Sequence, residues 1–126
     1  MKPNFTQKVT NWGNFPVVEK EIKSEDTLQK IKDFVQNNNE IIARGNGRCY
    51  GDASLSEHIF STKRLNKLIS FDRLNGIIEC ESGVLLSEIL EVIVQQGYFL
   101  YVTPGTKFIS VGGAIASDVH GKNHHA

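Results

Sequence analysis

Ser110-Val111-Gly112-Gly113-Ala114-Ile115-Ala116-Ser117-Asp118-Val119-His120-Gly121-Lys122-Asn123-His124-His125, with Pro104-Gly105-Thr106 just before it, is the stretch on which the reading of this chain turns. Three of the chain's four histidines are concentrated in it. Segments so dense in special residues belong to loops that carry function on a rigid scaffold. Val111 to Ala116 are small and mostly apolar, suited to lying flat against a large planar ligand or to close packing on another element. Ser110 is placed to cap a short helix whose free N–H groups would face an anion. The run ends with no closing strand or helix, so the expectation is a piece of a domain that carries part of an active site.

The histidines also raise a metal site, because His-x-x-x-His on a helix puts two imidazoles on one face. Gly121 and Asn123 disfavour a helix there, and only Asp118 offers a further ligand, so no metal is expected. A histidine acting as general base or oxyanion partner fits the same residues. Lys122 would add positive charge beside an electron-rich cofactor or a phosphate. The plainer alternative for His124 and His125 is hydrogen bonding to structure elsewhere.

A second unusual run precedes it. Arg44-Gly45-Asn46-Gly47-Arg48-Cys49-Tyr50-Gly51-Asp52 packs three glycines and two arginines into nine residues, directly after the apolar Ile41-Ile42-Ala43. Glycine permits positive φ and close approach by a ligand. Consecutive N–H groups in such a turn form an anion nest, to which Arg44 and Arg48 can add charge, and a pyrophosphate is the natural guest. The dinucleotide fingerprint Gly-x-Gly-x-x-Gly fails, because Tyr50 stands at the third position and no helix is expected from Ala53 to His58. The Gly-Lys-Ser/Thr phosphate motif is missing as well. Local composition fits a phosphate cradle and a plain tight turn equally well.

The rest of the chain supplies the scaffold. Pro16 to Ile22 reads as a strand. Ser24 or Asp26 is positioned to cap a helix with Leu28, Ile31, Phe34 and Val35 on one face, ended by Asn37-Asn38-Asn39. Leu68 to Asp72 and Ile77 to Glu81 form a hairpin around Asn75-Gly76. Leu85 to Gln96 reads as a helix closed by Gly97, and Tyr98 to Val102 as a strand aimed at the Pro-Gly-Thr turn. His58 reads as an ordinary surface residue, and Trp12 as a core or pocket anchor, with plain packing favoured.

Composition narrows the function classes. The chain has 126 residues, 40% of them hydrophobic and 22% charged, with a formal net charge of zero. That is enough chain for a domain with its own core. The zero balance argues against nucleic acid or an anionic membrane as the main partner. Cys49 and Cys80 have neither zinc nor redox spacing. No apolar run reaches spanning length, which points to a cytoplasmic protein, or one peripheral at the membrane.

Taken together, Arg44 to Asp52, Glu81-Ser82-Gly83-Val84, Pro104-Gly105-Thr106 and Val111 to His125 resemble the FAD-binding domain of the vanillyl-alcohol oxidase, or PCMH-type, flavoproteins. Within that family the chain is similar to the oxidase subunits of polyprenylphosphoryl-ribose epimerases, which serve cell-wall biosynthesis. The resemblance implies an α+β fold: a small βαββ subdomain and the start of a second, residues 1–126 being the N-terminal portion of the FAD-binding domain, with a separate substrate domain elsewhere. It implies that Ala43, Arg44, Gly45, Asn46, Gly47, Arg48, Cys49, Tyr50, Gly51, Asp52 and Ala53 wrap the FAD pyrophosphate. Gly105, Ser110, Val111, Gly112, Gly113, Ser117, Asp118, Val119 and His120 would line the rest of the cofactor. Tyr50, His120 and Lys122 would lie near the flavin ring and the substrate. Some relatives attach FAD covalently through a histidine at the place held here by Arg48, so non-covalent FAD is expected.

The implied reaction takes a hydride from a secondary alcohol of a sugar, such as polyprenylphosphoryl ribose at C2′, to give a keto sugar, with a short-chain reductase as partner. Oxidation of alditols or aldonolactones, or a non-catalytic nucleotide- or phosphate-binding module, are the alternatives. A portion of this kind is expected to hold FAD weakly by itself and to self-associate.

Overall fold

A computed structural model describes residues 6–121, so Lys122, Asn123, His124 and His125 lie outside the described residues. The chain divides into two compact units, Met1–Arg64 and Leu65–Ala126.

In the first unit, β1 (Gln7–Val9) pairs antiparallel with β2 (Val18–Lys20). A second, parallel sheet has the order β3 (Ile22–Lys23), β5 (His58–Ser61), β4 (Ile41–Arg44). The single strand expected from Pro16 to Ile22 is thus two: Val18–Lys20 bonds to β1, and Ile22–Lys23 turns to bond to β5. The central strand, β5, was not foreseen. Ile59 and Phe60 are buried between polar neighbours, too short a run to show a period. His58, expected on the surface, opens this strand half-buried, its N–H donating to the Glu40 carbonyl at 3.3 Å.

The crossover from β3 to β4 is α1 (Leu28–Asn37). Its N-cap is Thr27, not Ser24 or Asp26. Asp26 is engaged instead by Arg64, at 2.7 Å, and the Ser24 carbonyl accepts from the same guanidinium. Phe34 of α1 packs against Phe60, ring centroids 5.3 Å apart. Leu28 and Val35 stay exposed, so only part of the expected apolar stripe is covered in this unit.

The second unit starts with the expected hairpin, β6 (Leu68–Asp72) and β7 (Ile77–Cys80), antiparallel. Its turn is organised by Asp72, whose carboxylate accepts from the Asn75 side chain at 2.7 Å and from the N–H groups of Leu74 and Asn75. Those bonds, that from the Asn75 side chain foremost, hold the Asp72 carboxyl below its ordinary pKa. The turn therefore weakens as pH falls through and below the usual carboxylate range. Gly76 closes it at φ +66°, with a Cβ there coming within 2.8 Å of the Tyr98 ring.

The second helix, α2 (Leu86–Ile93), passes into a 3₁₀ turn, Val94–Gln96, and ends at Gly97 in the left-handed conformation, φ 84°. The Glu88 carboxylate reaches back to accept the Leu85 N–H at 2.7 Å, one half of a capping box. Val84, Leu86, Ile89 and Ile93 form the buried core, with Phe71, Ile78 and Tyr98 against it. The strand expected from Tyr98 to Val102 is absent. Side chains fix the start of that segment rather than a ladder: the Tyr98 ring meets Phe71 edge-on at 5.4 Å, and its hydroxyl donates to the Arg73 carbonyl. A last short helix, α3 (Val111–Ala116), follows.

Candidate functional site

Strands β4 and β5 run parallel, so the glycine loop leaves the carboxyl end of the sheet, where ligand loops of open α/β sheets are found. Arg44, the last residue of β4, turns its guanidinium inward beneath that loop. Nη1 donates to Asn11 Oδ1 and to Ser54 Oγ (2.9 Å), and Nη2 donates to the Thr10 carbonyl at 2.8 Å. Burial lowers its pKa, with Cys49 acting in the opposite direction. Arginine nonetheless stays cationic. Three protein acceptors hold the Arg44 guanidinium, so it supports the loop from below. Arg48, by contrast, is exposed.

Gly47 lies directly over the guanidinium at φ +66°, and a Cβ there would fall 2.8 Å from Arg44 Cζ. Gly51 also takes positive φ, +55°, and its carbonyl accepts from Asn11 Nδ2 at 3.0 Å. Trp12 N–H donates to the Cys49 carbonyl at 3.1 Å, and Cys49 Sγ contacts Ser54 Oγ at 3.2 Å. Ala53 N–H donates back to the Tyr50 carbonyl at 3.3 Å, and Leu55 N–H to the Asp52 carbonyl at 2.9 Å. Among the described residues no protein acceptor meets the N–H groups of Gly47, Arg48, Cys49 or Tyr50. Successive unspent donors on a positive-φ turn are the ingredients of an anion nest. A cavity of about 420 Å³ lies alongside, lined by Thr10, Trp12, Asn14, Gly47 and Arg48 among others. Trp12, expected as a packing residue, is instead 60% exposed and meets the exposed Tyr50 edge-on at 5.2 Å.

The second unit holds the other candidate residues. Ser110 caps α3 as expected, its Oγ accepting the Gly113 N–H at 3.1 Å. The free N–H groups expected beyond it are not free. Val111 N–H donates to the Val84 carbonyl and Gly112 N–H to the Ser82 carbonyl, each at 2.8 Å. Gly112 is small for packing: a Cβ there would lie 3.1 Å from Ser82 Cβ and 3.2 Å from its carbonyl oxygen. Ser110→Ala should cost about 1 kcal/mol by loss of the cap, read as a lower denaturation midpoint.

Past this helix, Ser117, Asp118 and His120 are exposed and Val119 is half-buried, as is Val111. Asp118 stands at φ +47°, its N–H on the Ile115 carbonyl. The Asp118 carbonyl faces His120 Nδ1 at 3.2 Å. Gly105 lies exposed in the turn before Thr106. Lys122 lies outside the described residues.

Among the described residues, no group of three or more His, Cys, Asp or Glu side chains could hold a metal ion. Cys49 and Cys80 are free thiols, and burial pushes that of Cys80 up. No helix among the described residues is long and apolar enough to cross a membrane.

Two residues of the site, Asn11 and Ser54, had no signal in the sequence beyond polarity. Both are buried, 3% and 7% exposed, and a buried polar side chain implies a partner.

Known proteins are similar to this chain over half of its length or more. Decaprenylphosphoryl-beta-D-ribose oxidase of Mycolicibacterium smegmatis is 31% identical across 98% of this chain, which spans 28% of that relative's length. D-lactate dehydrogenase of Anaerostipes hadrus is 33% identical across 50% of the chain and 13% of its own length. Among solved structures, a cholesterol oxidase from Brevibacterium sterolicum superimposes with a TM-score of 0.73 at 18% identity, covering 93% of this chain and 24% of that one. An alkyldihydroxyacetonephosphate synthase gives 0.68 at 21% identity, over 84% of this chain and 23% of that one. These last two share the fold. The family model described as the FAD binding domain matches residues 18–126, and the chain belongs to that family of FAD-binding oxidoreductase domains.

Proposed function

We propose that the protein oxidises a secondary alcohol of a sugar to a keto sugar, with polyprenylphosphoryl ribose at C2′ as its substrate and non-covalently bound FAD as hydride acceptor. The single observation that carries the cofactor assignment is the run of unspent N–H groups from Gly47 to Tyr50 over a cationic base. It suits a diphosphate in charge, and glycine at positive φ leaves the close approach open. The sugar rests on the likeness to the ribose oxidase, which extends over nearly all of this chain.

Bound FAD supplies the redox chemistry, accepting the hydride from the carbinol carbon, while the protein binds, orients and protects. Ala43 to Ala53 hold the diphosphate. By likeness to the family, residues 110–113 and 117–120, with Gly105, would also contact the cofactor. By the same likeness, Tyr50, His120 and Lys122 would lie near the flavin ring and the substrate. Arg48 in place of a histidine leaves no attachment point for a covalent bond at that position. The substrate domain lies in another part of the whole protein, and a short-chain reductase would reduce the keto sugar to complete an epimerisation.

The D-lactate dehydrogenase relative supports a second reading, a 2-hydroxy acid as substrate. Anaerobic mixing separates the two. Protein made from the complete reading frame should lose its oxidised flavin absorbance on adding polyprenylphosphoryl ribose and keep it with D-lactate. Bleaching by the hydroxy acid alone would overturn the sugar assignment.

A further inference from the structure

We propose that Asn11 is a positioning residue for the cofactor: with Arg44 and Ser54 it forms a buried polar clamp that holds both ends of the glycine loop, so that the Gly47–Tyr50 donors stay aligned for a diphosphate. This rests on the assignment of FAD to that loop. The Asn11 side chain reaches both parts. Its Oδ1 accepts from Arg44 Nη1, under Gly47, and from Ser54 Oγ at 2.9 Å. Its Nδ2 donates to the Gly51 carbonyl at 3.0 Å, at the far end of the loop. Each half of the amide therefore does a different task, and the amide cannot be replaced by a group with only one kind of hydrogen bond.

Chemistry and burial both favour this role over a general structural one. Bonds from outside hold the loop at Arg44, Cys49 and Gly51. Its shape therefore depends on contacts from outside, and these come from the short segment Thr10–Trp12, by the Thr10 carbonyl, the Asn11 side chain and the Trp12 N–H. That segment follows β1, whose Val9 is buried, so the clamp is rooted in a sheet. A nest aligned before the ligand arrives avoids the cost of ordering it during binding.

Asn11→Asp tests the inference directly. It keeps the acceptor for Arg44 and turns the donor to Gly51 into a second acceptor facing a carbonyl. In protein made from the complete reading frame, the FAD dissociation constant should rise about tenfold or more, because donors no longer aligned beforehand must be ordered on binding. Amide hydrogen exchange should quicken at 47–51 and stay unchanged across β4 and β5, with the apo melting temperature within about 2 °C of the parent. Ser54→Ala, which leaves the Gly51 bond in place, should weaken FAD by a smaller factor; it carries the test if Asn11→Asp fails to fold, unchanged FAD affinity and unchanged loop exchange then counting against the clamp. FAD affinity within about twofold of the parent in Asn11→Asp overturns the proposal, as does faster exchange throughout 7–61, which marks plain destabilisation. If the parent binds no FAD, the cofactor assignment fails instead, and loop exchange in the apo protein still decides the clamp.

Discussion

Gly47→Ala is expected to weaken FAD binding on the order of a hundredfold, the largest effect of any single substitution in the loop. Two costs add. At φ +66° an alanine carries roughly 1–2 kcal/mol of left-handed strain. Its Cβ would also press into the Arg44 guanidinium, 2.8 Å from Cζ and 3.1 Å from Nη1. The guanidinium cannot swing away cheaply, because Asn11, Ser54 and Thr10 hold it on three acceptors. The loop must lift instead, carrying the Arg48 to Tyr50 donors with it. Gly51→Ala is the internal comparison. It shares the positive φ, +55°, but nothing lies within 4 Å of its Cβ, so it should cost strain alone. Equilibrium titration of FAD against the two variants measures the difference. Equal losses would show that contact with Arg44 is not what makes Gly47 special.

Ile59→Ala should be the most damaging change for stability, lowering it by about 2–5 kcal/mol. Ile59 is fully buried in the central strand of the parallel sheet, opposite Ile22 on one side and Ile42 on the other. Truncation leaves a void at the point where β3 and β4 are joined only through β5, and rigid strands on both flanks limit collapse into it. At roughly 4–8 °C per kcal/mol for a unit of this size, the melting temperature should drop by about 10 °C or more. Ile115→Ala is the contrast, 76% exposed on α3 and expected within about 0.5 kcal/mol of the parent. A thermal melt of both resolves the point.

What the sequence showed in advance follows from how local each signal is. The hairpin at Asn75-Gly76, the helix before Gly97 and the Ser110 cap are each written in a few neighbouring residues, and all three are present. The β5 strand is not local. His58–Ser61 becomes a strand because β3 and β4 flank it, and no periodic run of its own announces that. The Tyr98 segment shows the reverse error: aromatic and β-branched residues gave it strand propensity, but ring packing on Phe71 and not a ladder places it.

The glycine loop was visible as a place, though its inner workings were not. Glycine spacing pointed to a nest, and Gly47 and Gly51 do take positive φ. Charge could not be assigned from spacing: of the two arginines, Arg44 is turned beneath the loop and Arg48 is exposed. Small residues at Gly112 and Gly113 were equally readable as ligand contact or close packing. For Gly112 the proximity of Ser82 shows packing.

The central claim is that the glycine loop is an FAD cradle within a flavin oxidoreductase. Its most direct measurement is the absorbance spectrum of protein purified from the complete reading frame, followed by denaturation and identification of what is released. The account predicts a yellow protein with flavin bands that releases intact FAD on denaturation, because the cofactor is held by backbone donors and no covalent bond. A colourless protein that takes up no added FAD would contradict it.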